Sequence, residues 1–186
     1  MSRILLPSIF ALLLASGGYA KTVAVAPCED PALPAPGLTS ALVEGAMDCL
    51  FDSGFVATDA SPASLDLASW RGSEPKLAEA REGRVDYLLE IFVAYAPSTS
   101  RAKACLPSDL EFVLVRVSDG KRIFSGESAL PPDSPETLGK IDEILHGLGI
   151  EAAKRAIAAI GEDSGASASS LGMAGKGSTP VWEGMI

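Results

Sequence analysis

The segment VDYLLEIFVAY, residues 85–95, carries the strongest strand pattern in the chain and decides its fold. Its odd-numbered positions, from Val85 to Tyr95, are all apolar or aromatic, whereas its even-numbered positions include Asp86 and Glu90. Alternation with a period of two residues is typical of a β-strand with one face in the core. We therefore expect a central strand with one buried face and one partly covered face, on which Asp86 and Glu90 are solvated. A carboxylate pair for acid–base work or for holding a cation is the alternative.

Strand and helix patterns alternate on the N-terminal side of this segment. An apolar run at 22–26 predicts a buried strand, and the four prolines of residues 27–37 predict a loop. Thr39 or Ser40 is suited to cap a helix that ends near Gly54, because short polar side chains satisfy the free amides of a first turn.

A second strand and two short helices are expected between this helix and residue 85. Residues 55–58 have the composition of a short strand. Ser61-Pro62 and Ser73-Glu74-Pro75 each combine a capping side chain with an early proline, so each predicts a helix start. The second of these helices is expected to end at Gly83.

A hairpin and a long helix are expected on the C-terminal side. After a loop at 96–107, the strand pattern of 110–117 leads through an Asp-Gly pair into a more polar edge strand at 122–128. Apolar residues then recur at helical spacing from Ser134 to Gly161, with glycines 147 and 149 weakening the middle of the helix.

These elements predict an α/β fold in the order β-α-β-α-β-β-β-α, with a mixed five-stranded sheet packed by helices. Right-handed crossovers place the first strand beside the third and keep the first three strands parallel. We expect one domain over residues 21–161. Residues 162–186 lose the helical periodicity and are rich in Gly, Ala and Ser, which predicts a disordered C-terminal tail.

Residues 1–20 have the pattern of a secretory signal peptide. Arg3 precedes an apolar run at 4–15, and Gly18-Tyr19-Ala20 supplies small residues for cleavage after Ala20. A retained membrane anchor is the alternative, but the run is shorter than the roughly 20 residues that span a bilayer. We expect a periplasmic or secreted protein with no stable membrane insertion after cleavage, in an oxidising compartment.

Composition excludes several classes of function. The net charge of -9 and the pI of about 4.6 argue against a nucleic-acid partner. The single histidine, His146, excludes a multi-histidine metal site, and the absence of asparagine excludes N-glycosylation. Ser-x-x-Lys occurs three times without the partner motifs of serine acyl-enzymes. We assign no catalytic, cofactor or metal-binding residue, and we expect a protein that is not an enzyme.

Four phrases occur in an order that resembles a known family: VAVAP (23–27), LFDSGF (50–55), VDYLL (85–89) and LVRVSDGK (114–121). The chain resembles the small envelope α/β domain shared by the amino-terminal part of TolB, CsgG and LpoB, over roughly residues 22–160. The resemblance implies a module that works by contacting other envelope proteins, and it transfers no catalytic residue. No cysteine stands at the predicted cleavage site, so we expect no lipid anchor of the CsgG and LpoB kind.

Three functions remain open at this point. The first is a non-enzymatic envelope module that acts in assembly or regulation through protein–protein contacts. The second is a small-ligand-binding protein in which the loops 27–37 and 96–107 line a pocket at the strand ends. The third, an envelope hydrolase, has the least support in the sequence. Neither the oligomeric state nor the identity of a partner follows from the sequence.

The three cysteines allow at most one internal disulfide. Cys28 follows the predicted first strand, and Cys105 lies in the predicted loop after the central strand, at the same edge of the sheet. Cys49 lies on the apolar side of the first helix, away from that edge. We therefore predict a Cys28–Cys105 disulfide with Cys49 free and buried. Three unpaired thiols are the alternative.

Overall fold

A computed structural model describes residues 20–71 and 75–173, with side chains described up to residue 164. The predicted signal peptide, apart from Ala20, and residues 174–186 of the predicted tail lie outside the described residues. The elements in chain order are β1 (Thr22–Glu29), α1 (Pro36–Asp52), β2 (Val56–Asp59), β3 (Ala63–Ser64), α2 (Leu67–Arg71), α3 (Leu77–Glu82), β4 (Tyr87–Pro97), β5 (Cys105–Arg116), β6 (Lys121–Glu127), α4 (Pro135–Gly139) and α5 (Ile141–Met173).

One mixed sheet organises the chain, with the strand order β2-β1-β4-β5-β6. β1 lies between β2 and β4 and is parallel to both, while β5 and β6 continue the sheet in antiparallel pairing. The predicted α/β class, strand neighbours and hairpin are therefore confirmed. The two-residue strand β3, which pairs with the end of β1, is a sixth strand that the sequence pattern did not predict.

Both faces of the central strand are buried. α1 and α5 cover the face that carries Leu89, Ile91 and Val93, as the alternation predicts. Short helices α2 and α3 cover the other face with Trp70, Leu77 and Ala80, so this face is not the partly solvated one that we expected. This second layer explains how the sheet buries Leu88 and Phe92 completely.

The expectation for Glu90 is consequently wrong. Its side chain is only 2% exposed, and its carboxylate accepts a hydrogen bond from the backbone N–H of Lys76, 3.1 Å away. Asp86, at the start of the same stretch, is exposed and accepts a hydrogen bond from the N–H of Thr22. A helix packed over the even-numbered positions therefore changes the environment of Glu90 and leaves that of Asp86 unchanged.

Several boundaries differ from the sequence pattern near prolines. β1 continues through Pro27 to Glu29, and α1 begins at Pro36, before the expected caps Thr39 and Ser40. Proline suits the first position of a helix because that position needs no amide donor. The segment after Ser61 forms β3 instead of a helix, because the end of β1 offers it a pairing edge.

The long C-terminal helix is interrupted once and then extends further than predicted. Ser134 caps α4 through a hydrogen bond from the N–H of Thr137, as expected, but a break at Lys140 separates α4 from α5. α5 continues past Gly161 to Met173. The Asp163 carboxylate binds the guanidinium of Arg116, at 2.9 Å, so the predicted tail starts too early.

α1 and α5 approach each other closely enough for backbone contact at two glycines. A Cβ atom built on Gly45 would stand 2.0 Å from the carbonyl oxygen of His146, and one on Gly149 would stand 2.0 Å from the carbonyl oxygen of Leu42. No side chain fits at such distances. Gly149, which the pattern marks as a weak point of the helix, is therefore required by packing.

We expect Gly45→Ala and Gly149→Ala to destabilise the protein by about 1–3 kcal/mol or more, because each added methyl group forces the helices apart. Urea unfolding followed by circular dichroism measures the effect.

Gly147→Ala is the matched control, since Gly147 is exposed on the same helix and nothing lies within 4 Å of the added Cβ. It should stabilise the protein by about 0.5–1 kcal/mol through helix propensity. Equal effects at positions 147 and 149 would contradict the close helix contact.

Candidate functional site

A cleft of about 600 Å³ lies between α1 and the carboxyl ends of β1 and β2. Parallel strands of an α/β sheet end at one edge, and the following loops and helix N-termini enclose a concave surface there. Here the walls come from the end of β1, the first three turns of α1 and the segment 59–64. The cleft therefore occupies the usual ligand-binding position of this fold class.

The walls of the cleft are mainly apolar, and its charges have one sign. The apolar lining residues are Pro27, Pro34, Pro36, Val43, Met47, Ala60, Pro62 and Ala63. Glu29, Glu44 and Asp59 supply carboxylates, while no described lining residue is Lys, Arg or His. Glu44 and Asp59 are exposed at the rim, and Glu29 is buried. This chemistry favours a ligand with an apolar body and a positive charge.

Glu29 is held firmly by its backbone. It is the last residue of β1, its register partner in β4 is Val93, and its carbonyl oxygen accepts a hydrogen bond from the N–H of Leu65. The next amide, of Asp30, donates to the carbonyl oxygen of Val93 at 3.0 Å. The side chain shares the face of the sheet on which α1 packs, since Glu29 is in register with a residue of that core.

A buried hydroxyl pair anchors α1 beside this residue. The Thr39 hydroxyl and the Tyr95 hydroxyl lie 2.9 Å apart, and both side chains are buried. Burial raises the pKa of Tyr95 above its usual value, so the phenol stays neutral across the physiological range. Thr39 thus acts as a tether between α1 and β4 and not as the helix cap that its position in the sequence suggests.

Only one of the two loops expected to line a ligand pocket does so. Residues 27–37 contribute to the cleft, whereas none of its lining residues comes from 96–107. The reason is that β4 and β5 extend into this predicted loop and leave a short hairpin tip. Asp133 binds that tip through the Ser98 hydroxyl and the Thr99 amide, each at 2.7 Å. These hydrogen bonds hold the pKa of Asp133 well below its usual range.

The predicted Cys28–Cys105 disulfide is absent, because the three cysteines are free thiols. Cys28 is level with Phe92 of β4, whereas Cys105 is level with Pro97. Five residues along the strand and two strand spacings across the sheet separate their Cα atoms by roughly 20 Å, far beyond disulfide reach. Cys28 also packs in the core under α2 and α3, and Cys105 packs on the opposite face.

Other candidate groups do not form a reactive cluster. His146 lies 3.3 Å from the Asp48 carboxylate across the α1–α5 contact and is about one third exposed. Within residues 20–71 and 75–173, no three His, Cys, Asp or Glu side chains are arranged to hold a metal ion. No helix in the described part of the chain combines the length and apolarity needed to cross a membrane.

Sequence reasoning located residues 27–37 but did not single out Glu29. The available signal was an acidic residue placed directly after the apolar run of a buried strand, where the strand end meets a helix N-terminus. The pattern could not show its burial, because that depends on how β3 and α1 fold against the end of β1.

No protein-family model and no curated protein sequence matches the chain. Solved structures with some similarity include the PelC dodecamer from Paraburkholderia phytofirmans (TM-score 0.44, 17% identity, 71% of this chain and 83% of that chain). The lipoprotein GNA1162 from Neisseria meningitidis has a TM-score of 0.42 and 14% identity over 67% of this chain and 94% of that chain.

TolB from Acinetobacter baumannii has a TM-score of 0.41 and 12% identity, over 74% of this chain and 28% of that chain. TolB is thus among the similar structures, whereas the resemblance to CsgG and LpoB stays a prediction. Because each of these TM-scores is below 0.5, the similarities carry no conclusion about function.

We expect the three thiols to react with iodoacetamide in a defined order. Burial, with nearby carboxylates as a smaller cause, raises the pKa of Cys28 to about 11, so its thiolate is scarce at pH 8. The native protein should therefore label at Cys49 and Cys105, which are partly exposed, and label at Cys28 only after unfolding. Peptide mass mapping without reductant measures this order, and a native Cys28–Cys105 linkage would contradict the strand register.

Proposed function

We propose that this chain is a non-enzymatic module of the cell envelope, periplasmic or secreted, that binds a segment of a partner protein in the cleft beside α1. The N-terminal signal pattern supports the compartment. The observation that carries the proposal is the cleft itself, with its apolar walls and its carboxylates at the carboxyl end of β1.

The shape of the cleft favours a protein segment as its occupant. Its rim residues Ser40, Glu44 and Asp59 are exposed, so the cleft opens onto the protein surface, where an extended segment can enter. Methionine and proline walls accommodate varied apolar side chains, as Met47 does through its flexible thioether. The one sign of charge selects against acidic partners and favours basic ones.

Small-ligand binding is the second candidate function. It is favoured by the position of the cleft at the strand ends and by its volume, which lies within the usual range of about 300–1,000 Å³ for ligand sites. A cationic or neutral apolar molecule would fit the same walls. The two candidates differ in whether a macromolecule covers Val43 and Met47.

Site-specific photo-crosslinking in the native cells tests the proposal. Val43 and Met47, both partly buried in the cleft walls, are replaced in turn by p-benzoylphenylalanine. We expect both positions to yield an adduct with the same envelope protein, identified by mass spectrometry. The purified pair should then bind with a measurable Kd, which Met47→Lys weakens because it places a positive charge on an apolar wall, opposite a basic partner.

Lys154 provides the matched control, because it is exposed on α5 and does not line the cleft. The same set of adducts from positions 43, 47 and 154 would show non-specific capture and contradict the proposal. Adducts with a small molecule only would favour the second candidate function.

A further inference from the structure

Five polar or charged residues are buried in the described part of the chain, and the side chain of one of them receives no hydrogen bond from another described residue. They are Glu29, Thr39, Glu90, Glu111 and Thr137. The two threonines bond to the hydroxyls of Tyr95 and Ser134. Glu90 accepts from the Lys76 amide, and Glu111 forms an ion pair with Arg71. For Glu29 no side-chain or backbone donor is present among the described residues.

A carboxylate in a largely apolar cleft is less hydrated than one on an open surface, so an opposite charge binds it more strongly there. Glu29 is 9% exposed and lines the cleft, and its carboxylate oxygens are not among the fully enclosed, unpartnered side-chain atoms of the described residues, so they remain accessible. Its backbone is paired on both sides, with β3 and β4, so its Cα–Cβ bond is held on the cleft side of the sheet. A residue with this environment is explained when a ligand supplies the missing donor.

We infer that Glu29 receives a cationic side chain, the ammonium of a lysine or the guanidinium of an arginine, from the segment that occupies the cleft. The inference rests on the proposed function, since it names the chemistry of that partner segment. A charged donor is favoured because a hydrogen bond between ions is stronger than one between neutral groups and also neutralises the buried charge.

The surroundings of Glu29 fit the rest of such a side chain. Val43 and the prolines at positions 27 and 36 offer apolar walls to a methylene stem, which lysine and arginine bury while their charged ends bind. Glu44 and Asp59 at the rim raise the local concentration of cations. A bound metal ion is a poorer fit, since the described residues provide no group of three ligands.

Titration with matched peptides tests the inference. The probes are acetyl-ALKLA-amide and the same peptide with norleucine in place of lysine, added to the purified protein and followed by NMR of its backbone amides. We expect the lysine peptide to shift the amides of Glu29, Thr39 and Met47 and to bind about tenfold or more tightly than the norleucine peptide. Equal affinities for the two peptides would overturn the inference.

Glu29→Gln is the decisive variant, and Glu143→Gln is its control, with the same change of charge at an exposed position outside the cleft. We expect Glu29→Gln to remove the preference for lysine, whereas Glu143→Gln keeps it. The thermal midpoint of Glu29→Gln should not fall, because no described residue donates a hydrogen bond to the carboxylate that is lost. A lower midpoint together with an unchanged lysine preference would show a structural role and overturn the inference.

The outcomes separate this inference from the proposed function. If the adduct of Val43 persists in Glu29→Gln and the purified partner keeps its Kd, the role of Glu29 is refuted while the proposed function stands. If no protein adduct forms and n-butylamine binds as tightly as the lysine peptide, the partner segment is refuted and the proposed function fails. Either result is distinct from loss of folding, which the thermal midpoint reports.

Discussion

The backbone contact between α1 and α5 at Gly45 and Gly149 is the constraint on which the first face of the sheet depends. α1 packs on β1 and β2, α5 packs on β5 and β6, and the close approach of the two helices leaves no space for a side chain at these glycines. α1 therefore has one fixed orientation. Leu42 and Ala46 face the core, while Val43 and Met47 form the wall of the cleft. The two glycines therefore fix the helix whose outer residues form this wall.

Buried glutamates on the two faces of the sheet differ in whether another described residue binds their carboxylates. On the face under α2 and α3, Glu90 and Glu111 are each bound by a donor from the covering segment. Both acids thereby help to attach those short helices to the sheet. Trp70 of α2 also packs on Phe92 of β4, with ring centroids 5.3 Å apart. On the face under α1, Glu29 has no such partner. The first two acids hold the structure together, and the third is available to a ligand.

The length of the β4–β5 hairpin determines that residues 96–107 do not line the cleft. Antiparallel pairing runs to Pro97 and Cys105, with an irregularity in register after Ala94. The hairpin thus extends beyond the end of β1, and its tip is bound by the Asp133 carboxylate, which accepts a hydrogen bond from the Ser98 hydroxyl. This extension separates Cys105 from Cys28 and removes the second loop from the strand ends. The predicted disulfide and the predicted two-loop pocket both assumed that β1 and β4 end at the same level, whereas β4 continues beyond the end of β1.

The sequence by itself determined the α/β class, the strand neighbours and the hairpin, because these follow from local periodicity, turn residues and the handedness of crossovers. Residues 85–95 and the Asp-Gly pair at 119–120 were sufficient for the central strand and its antiparallel continuation. Only the tertiary structure decided the burial of Glu90 and Glu29, the requirement for Gly149 and the separation of the cysteines. Each of these depends on how far an element extends and on which distant segment covers it. The hydrophobic pattern of a strand records which of its faces are apolar, but the residues that pack on those faces come from elsewhere in the chain.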